Sequence, residues 1–194
     1  ALTMCGYPTR RLEEYNMLVG RGIDNLFRSA LPKEASDDHA VAEMRNHFIP
    51  YYDEHKCDFT RPYEGIIETL EVLSERGLKF AVASNKYQEG TEKLVRHFFG
   101  RYDFVCISGQ REGKAIKPAP DMIFEIMEKC GADAAETIYC GDSDVDMQTG
   151  INAGVRTIGA AWGFRGREEL EAYKPWSVAD SPRGISGIIA GDSE

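Results

Sequence analysis

Strand and helix alternate without a break from residue 78 to residue 160, and this rhythm restricts the fold more than any other property of the chain. Leu78–Ala83 is a short apolar run launched from Gly77 and reads as a strand. Tyr87–Phe99 predicts a helix, with Leu94, Val95, Phe98 and Phe99 on one face and Gly100 as its stop. Asp103–Ile107 is the next strand. Ala119–Lys129 is a helix with Pro120 in its first turn, Ile123, Phe124, Ile126 and Met127 as its apolar face, and Gly131 at its end. Thr137–Cys140 predicts a strand, Asp146–Ala153 a helix, Val155–Gly159 a strand, and Trp176–Ala179 one more. Regular alternation of this kind implies an α/β fold: a parallel sheet covered by helices on both faces.

The N-terminal third breaks the pattern. Residues 1–59 contain no convincing strand, whereas Leu12–Leu18, Ile23–Ala30 and Asp38–Tyr52 have helical spacing. They predict a small helical module beside the sheet. Asp58–Pro62 is the expected linker, and a helix from Glu64 to Glu75 leads into the first strand.

Composition excludes several classes. The 194 residues carry 32 acidic against 23 basic side chains, a net charge of −9. That balance disfavours general nucleic-acid binding and anionic membranes. No apolar run approaches the ~18 residues of a membrane span. The five cysteines are odd in number and form no CxxC pair, which is the usage of a reducing, cytoplasmic setting rather than of a disulfide framework or a paired-cysteine zinc site.

The polar residues at the strand ends carry the chemistry. Gly141-Asp142-Ser143-Asp144-Val145-Asp146 follows directly on a strand and sets three carboxylates at alternate positions. Acids that crowded repel one another unless a cation or strong donors intervene. A small cluster of hard oxygens suits Mg²⁺, which binds proteins through one or two carboxylates and keeps waters or phosphates for its other positions. Ser84 and Asn85 follow the strand at Leu78–Ala83, and Lys117 precedes the helix at Ala119–Lys129, with Pro118 disfavouring a helical conformation at Lys117. Open α/β sheets bind ligands at the carboxyl ends of their strands. Ser84 and Asn85 would cradle an anion, Lys117 would supply positive charge, and Asp142 would hold Mg²⁺ against the same anion. Taken singly, Ser84 also reads as a helix cap, Lys117 as a surface lysine and Asp146 as a cap of the helix it opens. In order and on one edge, they read as a phosphoryl-transfer site.

These residues resemble the haloacid-dehalogenase-type hydrolases, and within them the phosphoglycolate phosphatase group. The resemblance rests on Ala83-Ser84-Asn85-Lys86, on Ile116-Lys117-Pro118-Ala119-Pro120, on Gly141-Asp142-Ser143 with Asp146, on Gly150–Gly154 and on Trp162-Gly163-Phe164. It implies a Rossmann-like core over residues 60–194 and a partial helical cap over residues 1–59, with Val19-Gly20-Arg21-Gly22 as a cap turn in which Arg21 would face substrate. It implies an Mg²⁺-dependent phosphatase of a small phosphorylated metabolite such as phosphoglycolate, working as a monomer or homodimer. In that scheme Ser84 and Lys117 are catalytic, Ser84, Asn85 and Lys117 bind phosphate, and Asp142 and Asp146 serve the metal, Asp142 by binding it and Asp146 by orienting Lys117 or a metal-bound water. A sugar-phosphate mutase shares the fold and motifs. A non-catalytic protein that binds a phosphorylated ligand is the alternative from another class.

The family's first motif, Asp-x-Asp-x-Thr, has no counterpart between Ala1 and Glu194. Its first Asp is the nucleophile and its second the general acid-base. It closes a strand in the middle of the family's sheet, so a strand and helix of roughly 20–30 residues are expected upstream of Ala1. Without that strand, the strands that carry Ser84 and Asp142 should not pair directly with each other.

Overall fold

The computed structural model describes residues 1–191; residues 192–194 of the expected core segment lie outside the described part. A 3-10 turn at Leu12–Glu14 runs into helix α1 (Tyr15–Leu18), followed by α2 (Ile23–Ala30) and α3 (Asp38–His55). The side chain of Asp37 caps α3 by accepting the Ala40 N–H at 2.8 Å. The helix contains Pro50 and continues about one turn past the expected end at Tyr52, to His55. Phe27 and Leu31, each 1 % exposed, centre a cluster with Leu2, Ile23, Val41 and Met44. Each large apolar side chain buried this way contributes about 1.5–3 kcal/mol.

Helix α4 (Ile66–Glu75) leads to β1 (Phe80–Tyr87), α5 (Gln88–Phe99), β2 (Phe104–Gln110), α6 (Asp121–Cys130), β3 (Ile138–Gly141), α7 (Asp144–Ala153), β4 (Arg156–Ala160), α8 (Arg167–Glu171), β5 (Ser177–Ala179) and α9 (Pro182–Ala190). Every strand pairing is parallel. β1 pairs with β2, and β3, β4 and β5 form a second sheet in that order, with no ladder joining β1 to β3 among the described residues. The division falls where the absent central strand was expected.

Helices cover both faces. Leu73 of α4 and Ile185 of α9 pack on Ile158 of β4, with Phe80 of β1 and Ile138 of β3 against the same cluster. On the other face Ile123 of α6 and Ala153 at the end of α7 pack on Tyr139 of β3, with Ala83 of β1 alongside. Ile138 and Tyr139 therefore point to opposite sides, as neighbours in a strand must. The two sheets share these clusters without sharing a hydrogen-bond ladder.

β1 and β2 each run several residues beyond their expected ends, for one reason. Ala83 faces Ser108 and Tyr87 faces Gln110, so four steps along β1 are matched by two along β2. The surplus is a bulge at Ser84-Asn85-Lys86, which leaves these residues free of regular pairing and re-aims their side chains.

Candidate active site

The carboxyl ends of β1 and β3 converge on the Lys117 side chain. Its ammonium donates to the Ala83 carbonyl of β1 at 3.0 Å, to the Tyr139 hydroxyl of β3 at 3.0 Å, and to Asp146 Oδ1 at 2.7 Å. One buried cation thus bridges the two sheets.

Asn85 orients it. The Asn85 Oδ1 accepts the Lys117 backbone N–H at 2.8 Å, and its Nδ2 donates at 2.9 Å to the Lys117 carbonyl and to the Gly20 carbonyl. The side chain brackets the backbone of one residue, Lys117, on both its N–H and its carbonyl, and ties it to the loop before α2. Asn85 was expected to bind phosphate, but its amide is buried and spent on backbone. It positions Lys117 instead. Ser84 behaves differently. Its Oγ accepts the Lys86 N–H at 3.2 Å, a local turn bond, and the hydroxyl proton has no acceptor among the described residues.

The three acids separate by partner. Asp144 pairs with Arg21 at 2.5 Å. Arg21, expected to face substrate, is instead a bond between the N-terminal helices and the start of α7. Asp146 is almost fully consumed. Its Oδ1 accepts from Lys117 and, at 2.6 Å, from the Tyr139 hydroxyl, while its Oδ2 accepts from the Ser143 hydroxyl at 2.6 Å and the Asp142 N–H at 3.2 Å. Those four donors fill a carboxylate's acceptor sites, the geometry expected of an Asp146 that orients Lys117, and they leave no unshared oxygen for direct contact with a metal. Nor does it cap α7: that position belongs to Ser143, whose side chain accepts the Asp146 N–H. Burial alone would raise the Asp146 carboxyl; the Lys117 ammonium and the Lys117, Ser143 and Tyr139 hydrogen bonds outweigh it and hold the group below the usual range.

Asp142 has no cation partner among the described residues. Its Oδ2 accepts the Phe164 N–H at 3.0 Å, and its other oxygen accepts nothing from them. Burial raises its carboxyl, and the charge of Asp146 raises it further against the opposing pull of the Phe164 N–H and Lys117. Two glycines permit the crowding. A Cβ at Gly163 would lie 2.2 Å from the Asp142 side chain, and one at Gly141 would lie 2.2 Å from Asp146 Cβ.

Ser84, Lys117 and Asp142 all line one cleft of about 760 Å³, walled on the far side by Phe27, Phe48 and Tyr52 of the N-terminal helices. A model of the haloacid dehalogenase-like hydrolases matches residues 1–160 of the chain. The chain belongs to that family. Among its relatives, a phosphoglycolate phosphatase from Pseudomonas syringae pv. tomato is 32% identical over an alignment spanning 100% of this chain and 72% of that protein. One from Aquifex aeolicus is 31% identical over 79% of this chain and 72% of its own length. A pyrophosphatase from Halalkalibacterium halodurans is 29% identical over 88% and 77%. A crystal structure of a predicted phosphoglycolate phosphatase from Haemophilus somnus superposes with a TM-score of 0.88 at 25% identity, covering 97% of this chain and 86% of that one.

Within this haloacid dehalogenase-like site, Mg²⁺ is tested against the donor set. A half-buried carboxylate with one unshared oxygen, raised by burial and by a like charge next door, suits a hard divalent cation that brings its own waters. The fit comes from Asp142 alone, because Asp146 is saturated and Asp144 is paired.

Sequence reasoning passed over Tyr139 and Ser143, which complete the Asp146 environment, and Asp53, which binds α3 to the core. Asp53 accepts from the Tyr87 hydroxyl at 2.5 Å, from Lys56 at 3.0 Å and from Lys93 at 3.1 Å. The Tyr87 hydrogen bond, with those of Lys56 and Lys93 against the cost of burial, lowers its carboxyl to about 2. Tyr139 sits seven residues before Asp146 in an apolar strand, where an aromatic reads as core. Beyond Ser143-x-x-Asp146, a capping spacing, no signal marks these groups.

Proposed function

We propose that the protein is an Mg²⁺-dependent phosphomonoesterase acting on a small phosphorylated metabolite. The observation that carries this reading is the convergence on one cleft of a free hydroxyl donor at Ser84, a fixed ammonium at Lys117 and an unshared carboxylate oxygen at Asp142. Ser84 would donate to a phosphoryl oxygen. Lys117 would neutralise charge that builds on that group in transfer, which is where preorganised donors are worth most. All three of its protons are already placed, so a phosphoryl oxygen would take over the bond to a neutral acceptor, Ala83 or Tyr139, and leave the Asp146 pair intact. Asp142 would hold Mg²⁺, which when bound screens the phosphoryl charge. The nucleophile would be an Asp from a strand upstream of Ala1 seated between β1 and β3, a reading that the divided sheet supports. Its carboxylate would displace the alcohol to give an aspartyl-phosphate that water then hydrolyses. Residues 1–59 would act as a cap that limits water over the site.

The resemblance favours phosphoglycolate as substrate, and a relative named as a pyrophosphatase keeps pyrophosphate beside it. The test is phosphate release by the full-length protein, with its upstream residues, from phosphoglycolate, pyrophosphate and hexose phosphates. Release from one of these with Mg²⁺ supports the proposal. Isomerisation of a hexose phosphate without release would favour a mutase, and binding without turnover would favour a non-catalytic phosphate binder.

A further inference from the structure

Away from the cleft's acids, three ligating side chains converge on the N-terminal helices. Cys5, Glu43 and His47 each bring a donor atom within 4.8 Å of the other two. Glu43 and His47 are four residues apart on α3, one turn of one face, the spacing by which a helix presents two ligands to a single ion. Cys5 arrives from the other side on a turn fixed by Cys5 N–H to the Ala1 carbonyl at 3.0 Å and Tyr7 N–H to the Leu2 carbonyl at 2.8 Å. Leu2 itself is 6% exposed in the cluster centred on Phe27, so the turn is anchored. None of the three side chains makes a hydrogen bond or ion pair with a described residue, although all three are partly buried. A carboxylate, an imidazole and a thiol that face one another with no other partner carry an unspent capacity for a cation.

We propose that Cys5, Glu43 and His47 form a binding site for a borderline-soft divalent ion, Zn²⁺ by preference. Ligand bonds of 2.0–2.3 Å to a tetrahedral ion put donors about 3.3–3.8 Å apart, so small side-chain rotations close the site. Sulfur with nitrogen and oxygen selects Zn²⁺ or Co²⁺ over Mg²⁺, which takes oxygen alone. Binding releases the Cys5 proton and leaves a fourth position for water. The site shares no residue with Asp142. Its ion would tie residues 1–7 to α3, and Ala1, Leu2 and Thr3 on that turn form part of the cleft wall. The ion's role is to hold the wall in place.

The test is a Co²⁺ titration of the metal-free full-length protein, followed by displacement with Zn²⁺ and with Mg²⁺. One equivalent should give a thiolate-to-cobalt charge-transfer band that Zn²⁺ removes and Mg²⁺ does not. Cys5→Ser should abolish the band, and Glu43→Gln and His47→Ala should each weaken binding roughly 10-fold or more. Zn²⁺ should raise the thermal midpoint of the wild type and leave that of Cys5→Ser unmoved. Glu43→Gln preserves shape, so it reports on the site even if a larger change disturbs the helix. Absence of the band at millimolar Co²⁺, or a band that survives Cys5→Ser and so belongs to another cysteine, would overturn the proposal.

Discussion

Replacing Asp146 by Asn should cost more stability than replacing Lys117 by Met, and the structure says why. The pair is 2.7 Å apart, with side-chain exposures of 11% for Lys117 and 9% for Asp146. Removing one partner of a buried pair costs about 3–5 kcal/mol when it strands the other charge. Asp146→Asn does that: the ammonium keeps only the neutral oxygens of Ala83 and Tyr139. Lys117→Met leaves the carboxylate with Tyr139, Ser143 and the Asp142 N–H, three donors aimed at it. Hydrogen bonds to a charged group contribute about 1.5–3 kcal/mol each, so this loss should be nearer 1–2 kcal/mol. The double variant should lie below the sum by about 2 kcal/mol. The assay is denaturant unfolding at neutral pH, repeated down to acid. Because the native Asp146 carboxyl is lowered, its contribution is complete above the unfolded value of ~3.9 and fades as the pH falls through the native one. The Asp146→Asn penalty should shrink over that window. Equal single losses, a larger loss for Lys117→Met, or simple additivity would refute the reasoning.

Three further outcomes follow from the same contacts. Asn85→Ala should lower kcat of the full-length enzyme by 10-fold to about 10²-fold and also lower the unfolding midpoint, because it frees the Lys117 backbone and leaves the Lys117 N–H and the Lys117 and Gly20 carbonyls without their buried partner; unchanged kcat with a lowered midpoint would return Asn85 to a purely structural role. Asp53→Asn should destabilise by about 1 kcal/mol at neutral pH, reduced by solvent screening, and the difference should vanish as acid titrates Asp53 from ~3.9 down to its native value of about 2, which unfolding curves against pH would check. Asp142→Asn should stabilise the metal-free protein at neutral pH, because the wild-type carboxyl is raised and its ionised form opposes folding; the gain should disappear on acidification, and a loss of stability at neutral pH would contradict it.

Much of this was legible from the chain because the informative signals are local. Apolar runs and glycine stops place the strands, and the strand ends place Ser84 and Asp142 on one edge. The divided sheet was legible too, from a motif that has no counterpart within residues 1–194. What escaped is long-range. Asn85 reads as a ligand in a loop, yet its partners lie 65 and 32 residues away at Gly20 and Lys117. Arg21 reads as a substrate group, yet its partner is 123 residues off at Asp144. Three alternating acids look equivalent in sequence. Their roles diverge only when the fold brings Arg21 to one, Lys117 to another and, among the described residues, no cation partner to the third. The bulge that carries Ser84 and Asn85 is fixed by β2, so the local sequence could not reveal it.

The central claim, a phosphatase site in which Asp142 serves the metal while Ser84 and Lys117 serve the phosphoryl group, meets its most direct test in Mg²⁺ titrations of phosphate release. Wild-type and Asp142→Asn full-length protein would be compared on the best substrate of the panel. Turnover of the wild type should rise with Mg²⁺ and vanish with chelator, and the variant should lose on the order of 10²-fold or more at every Mg²⁺ concentration. Near-normal turnover of Asp142→Asn at saturating Mg²⁺ would contradict the account.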